Sequence, residues 1–363
     1  MLRYVEEMFG KWALTACVVM MFIPESASAR GDMTSLPEWR LYGRVQPRIE
    51  YHSGAEDDIY IRRMRLGLEL QHWERFEAKF ELKYDNYQKR DTDSNLKSEN
   101  AYVGYHPSRR SRVRFGLMNS LFSREGQVSD ATYLFSDRST IVNQIKAEGL
   151  ADNVKGVAYQ ALFSNPGLAA GGGVYYDNDV SPELREGRDK PQYVLTFGYS
   201  SEGIGDPKSF YFGSDRLRID ITTYFLYMGN RDTAERDADL MATGLDYYIQ
   251  QGDLSLGGGF FQLVKRFGDS NNQVKQGYYL EGADFLPFRF FGYGRLQLAM
   301  RYQQYLPNTT TLQPDETEYS VAANLYLNKN KFKTQFVYNR NTLKQPAFTQ
   351  HSEELVIQMQ VAW

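Results

Sequence analysis

The side chains with the greatest capacity for chemistry in this 363-residue sequence are its arginines, several of which recur two positions apart. Arg63 and Arg65, Arg112 and Arg114, and Arg216 and Arg218 are such pairs, with Arg301 further along. A two-residue step keeps side chains on one face of an extended strand, about 6.6 Å apart. A guanidinium can donate two parallel hydrogen bonds to a carboxylate or phosphate. A line of arginines on one face therefore offers a passing anion successive partners. Glu77, Lys79, Glu81 and Lys83 repeat the step with alternating sign, so acid and base on neighbouring strands could equally neutralise one another.

Catalytic or metal chemistry has no comparable signature. His52, His72, His106 and His351 are the only histidines, and no spacing among them puts two ligands on one face. No Ser or Asp is flagged by a local nucleophile motif. The one cysteine, Cys17, lies near the N-terminus. Neither a metal nor a cofactor is expected. The formal net charge of −3 is spread along the chain, without the basic block that nucleic acid requires.

The elements that must position these residues are strands. Met64 to Gln71, Phe76 to Tyr84, Leu217 to Ile221, Leu296 to Tyr302 and Leu355 to Trp363 alternate apolar with polar or small residues, the period of a two-faced strand. Sixteen such segments are predicted, at about 41–52, 60–72, 75–87, 96–106, 111–119, 154–163, 167–177, 191–200, 215–228, 239–250, 253–266, 274–285, 291–305, 316–327, 331–341 and 353–363. Connections at one end are mostly short, while those at the other are longer and rich in Asp, Asn, Gly and Ser. The connections near 201–214 and 286–290 fit this rule less well. The aromatic content is 15%, yet mean hydropathy is −0.55. The longest largely apolar run, Trp12 to Ile23, is too short for a membrane helix. A transmembrane antiparallel up-and-down β-barrel reconciles these facts, because alternate residues of its strands face a wet lumen. A soluble all-β protein is the competing reading.

In such a barrel, parity sends Arg63, Arg65, Arg112, Arg114, Arg218 and Arg301 inward, because a charge at the bilayer midplane costs about 2–4 kcal/mol. Residues 120–153 form the third outer loop, far longer than an ordinary connection and so a functional candidate. Folded into the lumen, the loop would narrow it, presenting Arg124, Glu125, Asp130, Asp137, Arg138 and Lys146. Tyr84, Tyr87, Tyr102, Tyr105, Tyr224, Tyr302, Tyr305 and Trp363 are expected as interfacial anchors. Gly171 to Gly173 and Gly257 to Gly259 mark places where the backbone bends or neighbouring residues lie over a bare strand. Trp363, ending the last strand, resembles an outer-membrane assembly signal.

The N-terminus carries Arg3 and Lys11, the apolar run, and then Ala27-Ser28-Ala29. This is the layout of a secretory leader cut after Ala29, giving a leader at 1–29 and a barrel at 30–363. Leu14 to Cys17 is a weaker, lipoprotein-like alternative.

The sequence resembles the phosphate-selective porin O and P family in Ile61 to Gly67, Ala101 to Tyr105, Arg114 to Leu117 running into Phe122 to Glu125, and Leu134 to Ser139. It does so again in Asp152 to Val157, Leu298 to Tyr302 and Ala323 to Asn328. The resemblance implies a sixteen-stranded homotrimeric porin of the bacterial outer membrane, contacting its lipids, with the third loop folded into the lumen. It also implies a line of Arg and Lys carrying phosphate. Here acids are interleaved with the bases, which departs from that line. The function so indicated is a passive channel for small polar solutes, anions such as phosphate among them. The alternatives are a largely closed barrel acting in surface or partner binding, and an outer-membrane enzyme.

Overall fold

Backbone groups in hydrocarbon must all be paired, and a sheet achieves this only by closing on itself. The computed structural model describes the chain from residue 38 onward. Parts of the connections are excepted, chiefly 90–95, 151–152, 164–166, 177–190, 202–206, 208–209, 233–236, 268–271, 308–314 and 346–347. The leader expected at 1–29 lies outside the described residues. Contacts divide the chain at Leu36/Pro37, and the second unit, Pro37–Trp363, holds every described strand.

Sixteen strands run in order: β1 (Glu38–His52), β2 (Asp58–Trp73), β3 (Phe76–Tyr87), β4 (Leu96–Ser108), β5 (Ser111–Asn119), β6 (Asn153–Leu162), β7 (Gly167–Tyr176) and β8 (Gln192–Ser200). They continue with β9 (Ser214–Asp232), β10 (Asp237–Gly252), β11 (Leu254–Phe267), β12 (Gln273–Phe290), β13 (Gly294–Leu306), β14 (Asp315–Asn328), β15 (Phe332–Lys344) and β16 (Thr349–Ala362). Each pairs antiparallel with its neighbours, and β16 returns to β1 to close the barrel. The outward face is apolar: Leu66, Phe115, Leu195 and Met300 are all at least half exposed. A surface of this kind is stable against lipid rather than water. Arg63, Glu81, Arg112 and Asn324 are buried on the other face.

Two sequence expectations change. Residues 286–290, expected in a connection, extend β12, with a register shift between Phe285 and Arg289 that interrupts the alternation. Tyr102, Tyr224 and Tyr305 are buried inside the barrel rather than placed in an interfacial belt. The reason is the long third loop, which brings apolar side chains into the lumen for them to cover. Tyr87, Tyr105 and Trp363 stay exposed.

Trp363 sits at the closing seam. Its N–H donates to the Gly43 carbonyl at 3.1 Å, and the Gly43 N–H donates back at 3.4 Å. The indole lies so close over Gly43 that a Cβ there would collide with the ring. We propose that this contact registers β16 on β1 during assembly. Deleting Trp363 should lower the heat-modifiable, folded fraction in cells, measured by unheated gel electrophoresis; an unchanged fraction would count against the role.

Candidate functional site: the lumen and its loop

Between β5 and β6 the chain forms α1 (Arg124–Gln127), a 3₁₀ turn at Asp130–Thr132 and α2 (Thr140–Ala147). Ser123 starts α1 with a positive φ of 66°, and its hydroxyl accepts from Gly126 N–H at 2.9 Å. Glu125 ties α1 to the start of α2, one oxygen accepting from Ser139 N–H at 2.8 Å. Ile141, Val142 and Ile145 are buried on one face of α2. They join Phe122, Tyr224, Leu226, Leu240, Phe261 and Tyr305 in one apolar cluster with the barrel wall. Each such side chain contributes roughly 1.5–3 kcal/mol on full burial, so the loop is fastened inside the barrel by a core of its own.

Ions fasten the opposite side. Asp130 accepts from Arg44 of β1 and from Arg63 of β2, and from Arg65 of β2 at 2.8 Å. Asp137 pairs with Arg48 at 2.8 Å and with Arg62 at 3.4 Å. Arg62 and Arg63 both reach the lumen because the β1/β2 register shifts at Gln46/Pro47. Further along the wall, Asn324 and Gln335 donate to the Leu134 carbonyl, and Lys333 to that of Tyr133. Burial alone would push the Asp130 carboxyl up, yet Arg44, Arg63 and Arg65 together hold it well below the usual carboxylate range. Asp137 is lowered in the same way, against its burial, by Arg48 and Arg62. A carboxyl lowered in the fold contributes stability above its unfolded pKa and loses it only as pH falls toward the folded value. Asp130 and Asp137 are therefore charged at neutral pH.

Backbone space also matters on the β10–β12 wall. Asp246 accepts the Arg124 backbone N–H at 2.5 Å and the Tyr279 hydroxyl at 3.1 Å. A Cβ on Gly259 would collide with the Asp246 carboxylate. This glycine makes room for the acceptor, as the bare-strand reading of Gly257 to Gly259 expects.

The loop thus bridges the lumen from the arginine wall of β1–β2 to the apolar wall of β9–β13. On the β2–β6 side it leaves a cavity of about 190 Å³. Arg65, Lys79, Arg112 and Arg114 line it together with Asn100, Gln127 and Gln160, and no carboxylate does so among the described residues. The acids stand behind the bases. Arg114 pairs with Glu77 at 2.6 Å and stacks on Tyr102 at 4.5 Å; Arg65 pairs with Glu81 and Glu99 at 2.8 and 2.9 Å. Arg112 donates to the amide oxygen of Gln160.

The sequence-derived candidates therefore separate. Arg65, Arg112 and Arg114 reach the cavity. Arg63 holds the loop and also pairs with Asp85 at 3.0 Å. Arg301 lies behind the loop, donating to the Asp137 carbonyl at 3.1 Å and lying over Phe135. Arg218 covers the Tyr211 ring at 3.9 Å. Within the loop, Arg124 lies over Tyr248 and Arg138 over Tyr133, while Lys146 is half-buried on α2. Sequence reasoning missed Arg44, Arg48 and Arg62. The alternation of Tyr42, Arg44, Gln46, Arg48 and Glu50 would have shown the first two. His52 does meet Glu50 and Glu354, but Glu50 already accepts from Arg48, Tyr60 and Lys89, which makes this group an ionic hub.

A closed sixteen-stranded barrel, apolar outside and polar within, with its third loop bonded into the lumen, has the architecture of bacterial outer-membrane porins. Residues 42–196 match the family model described as phosphate-selective porin O and P, in agreement with the motif resemblance. The match runs from β1 into β8 and includes the loop and every strand lining the cavity. None of the curated proteins matches the sequence.

Solved structures share the fold. An anion-selective porin from Comamonas acidovorans aligns with TM-score 0.61 and 13% identity, over 90% of this chain and 100% of that one. The outer membrane channel DcaP of Acinetobacter baumannii gives 0.59 and 12%, over 90% and 97%. OmpT of Vibrio cholerae, in its trimer form, gives 0.58 and 11%, over 91% and 100%. The chain thus shares the closed-barrel fold of outer-membrane porins, and its N-terminal part, residues 42–196, carries the match to the porin O and P model.

Proposed function

We propose that this protein is a passive diffusion channel that favours small anions, phosphate-sized ones among them, and passes them along the β2–β6 wall. The observation that carries this reading is the cavity lined by Arg65, Lys79, Arg112 and Arg114, with no carboxylate at its surface among the described residues. Conduction needs a polar path and a charge ring that biases the passing ion, and no bond-making step. The anion-selective porin and the trimeric OmpT among the similar structures support anion preference and a homotrimer in outer-membrane lipid. The exported form then begins at Arg30, after removal of a leader at 1–29.

One observation favours a different reading. The β9–β15 half of the lumen is filled by packed side chains, as in a closed barrel that serves by binding. Proteoliposomes separate the two. Vesicles carrying the refolded protein should swell in isotonic solutions of small anionic solutes, faster than in cationic solutes of equal size. Absence of swelling would select the closed barrel.

A further inference from the structure

At the end of the barrel that holds both termini, six connections contain only one to four residues between strand ends, and one, between Ser200 and Ser214, contains thirteen. Short turns mark the periplasmic end of such barrels, so this long one stands out. Its described residues do not lie beneath the barrel. Phe210 is 2% exposed. Its ring packs 5.8 Å from Phe285 of β12 and 5.3 Å from Tyr326 of β14, both inward-facing. Phe212 adds contacts to the same two rings at 5.5 and 5.1 Å. Tyr211 between them exchanges backbone hydrogen bonds with the Gln250 amide at 2.8 and 2.6 Å. Leu134 and Phe135 of the third loop belong to the same cluster as Phe210. On the other side, Pro207 lines the basic cavity with Arg112 and Arg114.

The segment thus touches the β12–β14 wall through Phe210 and Phe212 and reaches the β5–β6 side at Pro207. We propose that Phe210, Tyr211 and Phe212 of the β8–β9 connection, with Pro207, form a second constriction of the lumen, fixed from the periplasmic end by Phe210 and Phe212, which joins the third loop in confining solute to the basic path. Buried rings meeting edge to face from three elements make a rigid anchor, and Tyr211, held under the Arg218 guanidinium at 3.9 Å, fixes the strand-proximal end. Pro207 is the side chain of this connection that lines the cavity together with Arg112. The inference rests on the channel reading and adds a second, independently removable wall.

Planar-bilayer recordings on the whole mature protein test both. Phe210→Ser with Phe212→Ser should raise single-channel conductance about twofold, because a barrel this wide is an open channel unless filled; unheated gels confirm that the barrel is folded. The second variant, Pro207→Cys, leaves the aromatic anchor intact. The expected cut after Ala29 removes the only native cysteine, Cys17. A bulky anionic thiol reagent added on the periplasmic side should reduce conductance of this variant by about half and leave the unsubstituted protein unchanged. Silent native protein would overturn the channel reading and the inference with it. Conducting native protein with both variants at native conductance would overturn the second constriction alone.

Discussion

Replacing residues 124–147 by a short glycine-serine link should raise single-channel conductance about threefold, the largest change expected from any alteration to this protein. The loop fills the space between two walls of the barrel, held by an apolar cluster on one side and by Asp130 and Asp137 on the other. A milder version isolates the ionic side. Asp130→Ala leaves Arg44, Arg63 and Arg65 with one carboxylate fewer in a buried setting, and removing one partner of a buried pair costs about 3–5 kcal/mol. The barrel itself is closed by sixteen ladders and survives this loss, so the change should appear as larger and noisier current steps. Native conductance in a folded loop deletion would show that the loop does not set the narrowest point.

The second large effect concerns ion choice and depends on which arginines face solute. Arg112→Gln with Arg114→Gln removes two of the four cations lining the cavity. The acids behind them, Glu77 foremost, are left without that cover. The reversal potential in a salt gradient should therefore move toward cations, and with this pair the native sign should invert. Arg63→Gln and Arg301→Gln serve as the contrast. Those guanidiniums are bonded to Asp130 and to the Asp137 carbonyl, so selectivity should stay native while the loop is loosened. Equal shifts from both sets would mean that lumen charge acts only as a sum and that the cavity has no special place.

Much of the barrel was legible in the sequence because lipid enforces alternation. An apolar residue such as Leu66 or Phe80 facing outward requires Arg65 or Glu81 to face inward, and strand ends follow within a few residues. The third loop was legible by its length. What the sequence concealed were contacts across the lumen. Asp130 reads as one acid among many, and only the closed barrel brings it to arginines 65 to 86 positions away on two strands. Arg62 was hidden by a register shift that breaks strict parity, and Tyr102 and Tyr224 by an apolar loop that turns aromatic residues inward. The β8–β9 connection appeared only as a poor fit to the short-turn rule. Its role in filling the lumen depends on Phe285 and Tyr326, which lie far along the chain.

Reversal potential of the native protein across a KCl gradient tests the central claim most directly. Four cations at the cavity surface, with their acids set behind, should give a zero-current potential of the sign that marks chloride as the more permeant ion. A potential of the opposite sign, from a folded and conducting barrel, would contradict an anion path along the β2–β6 wall.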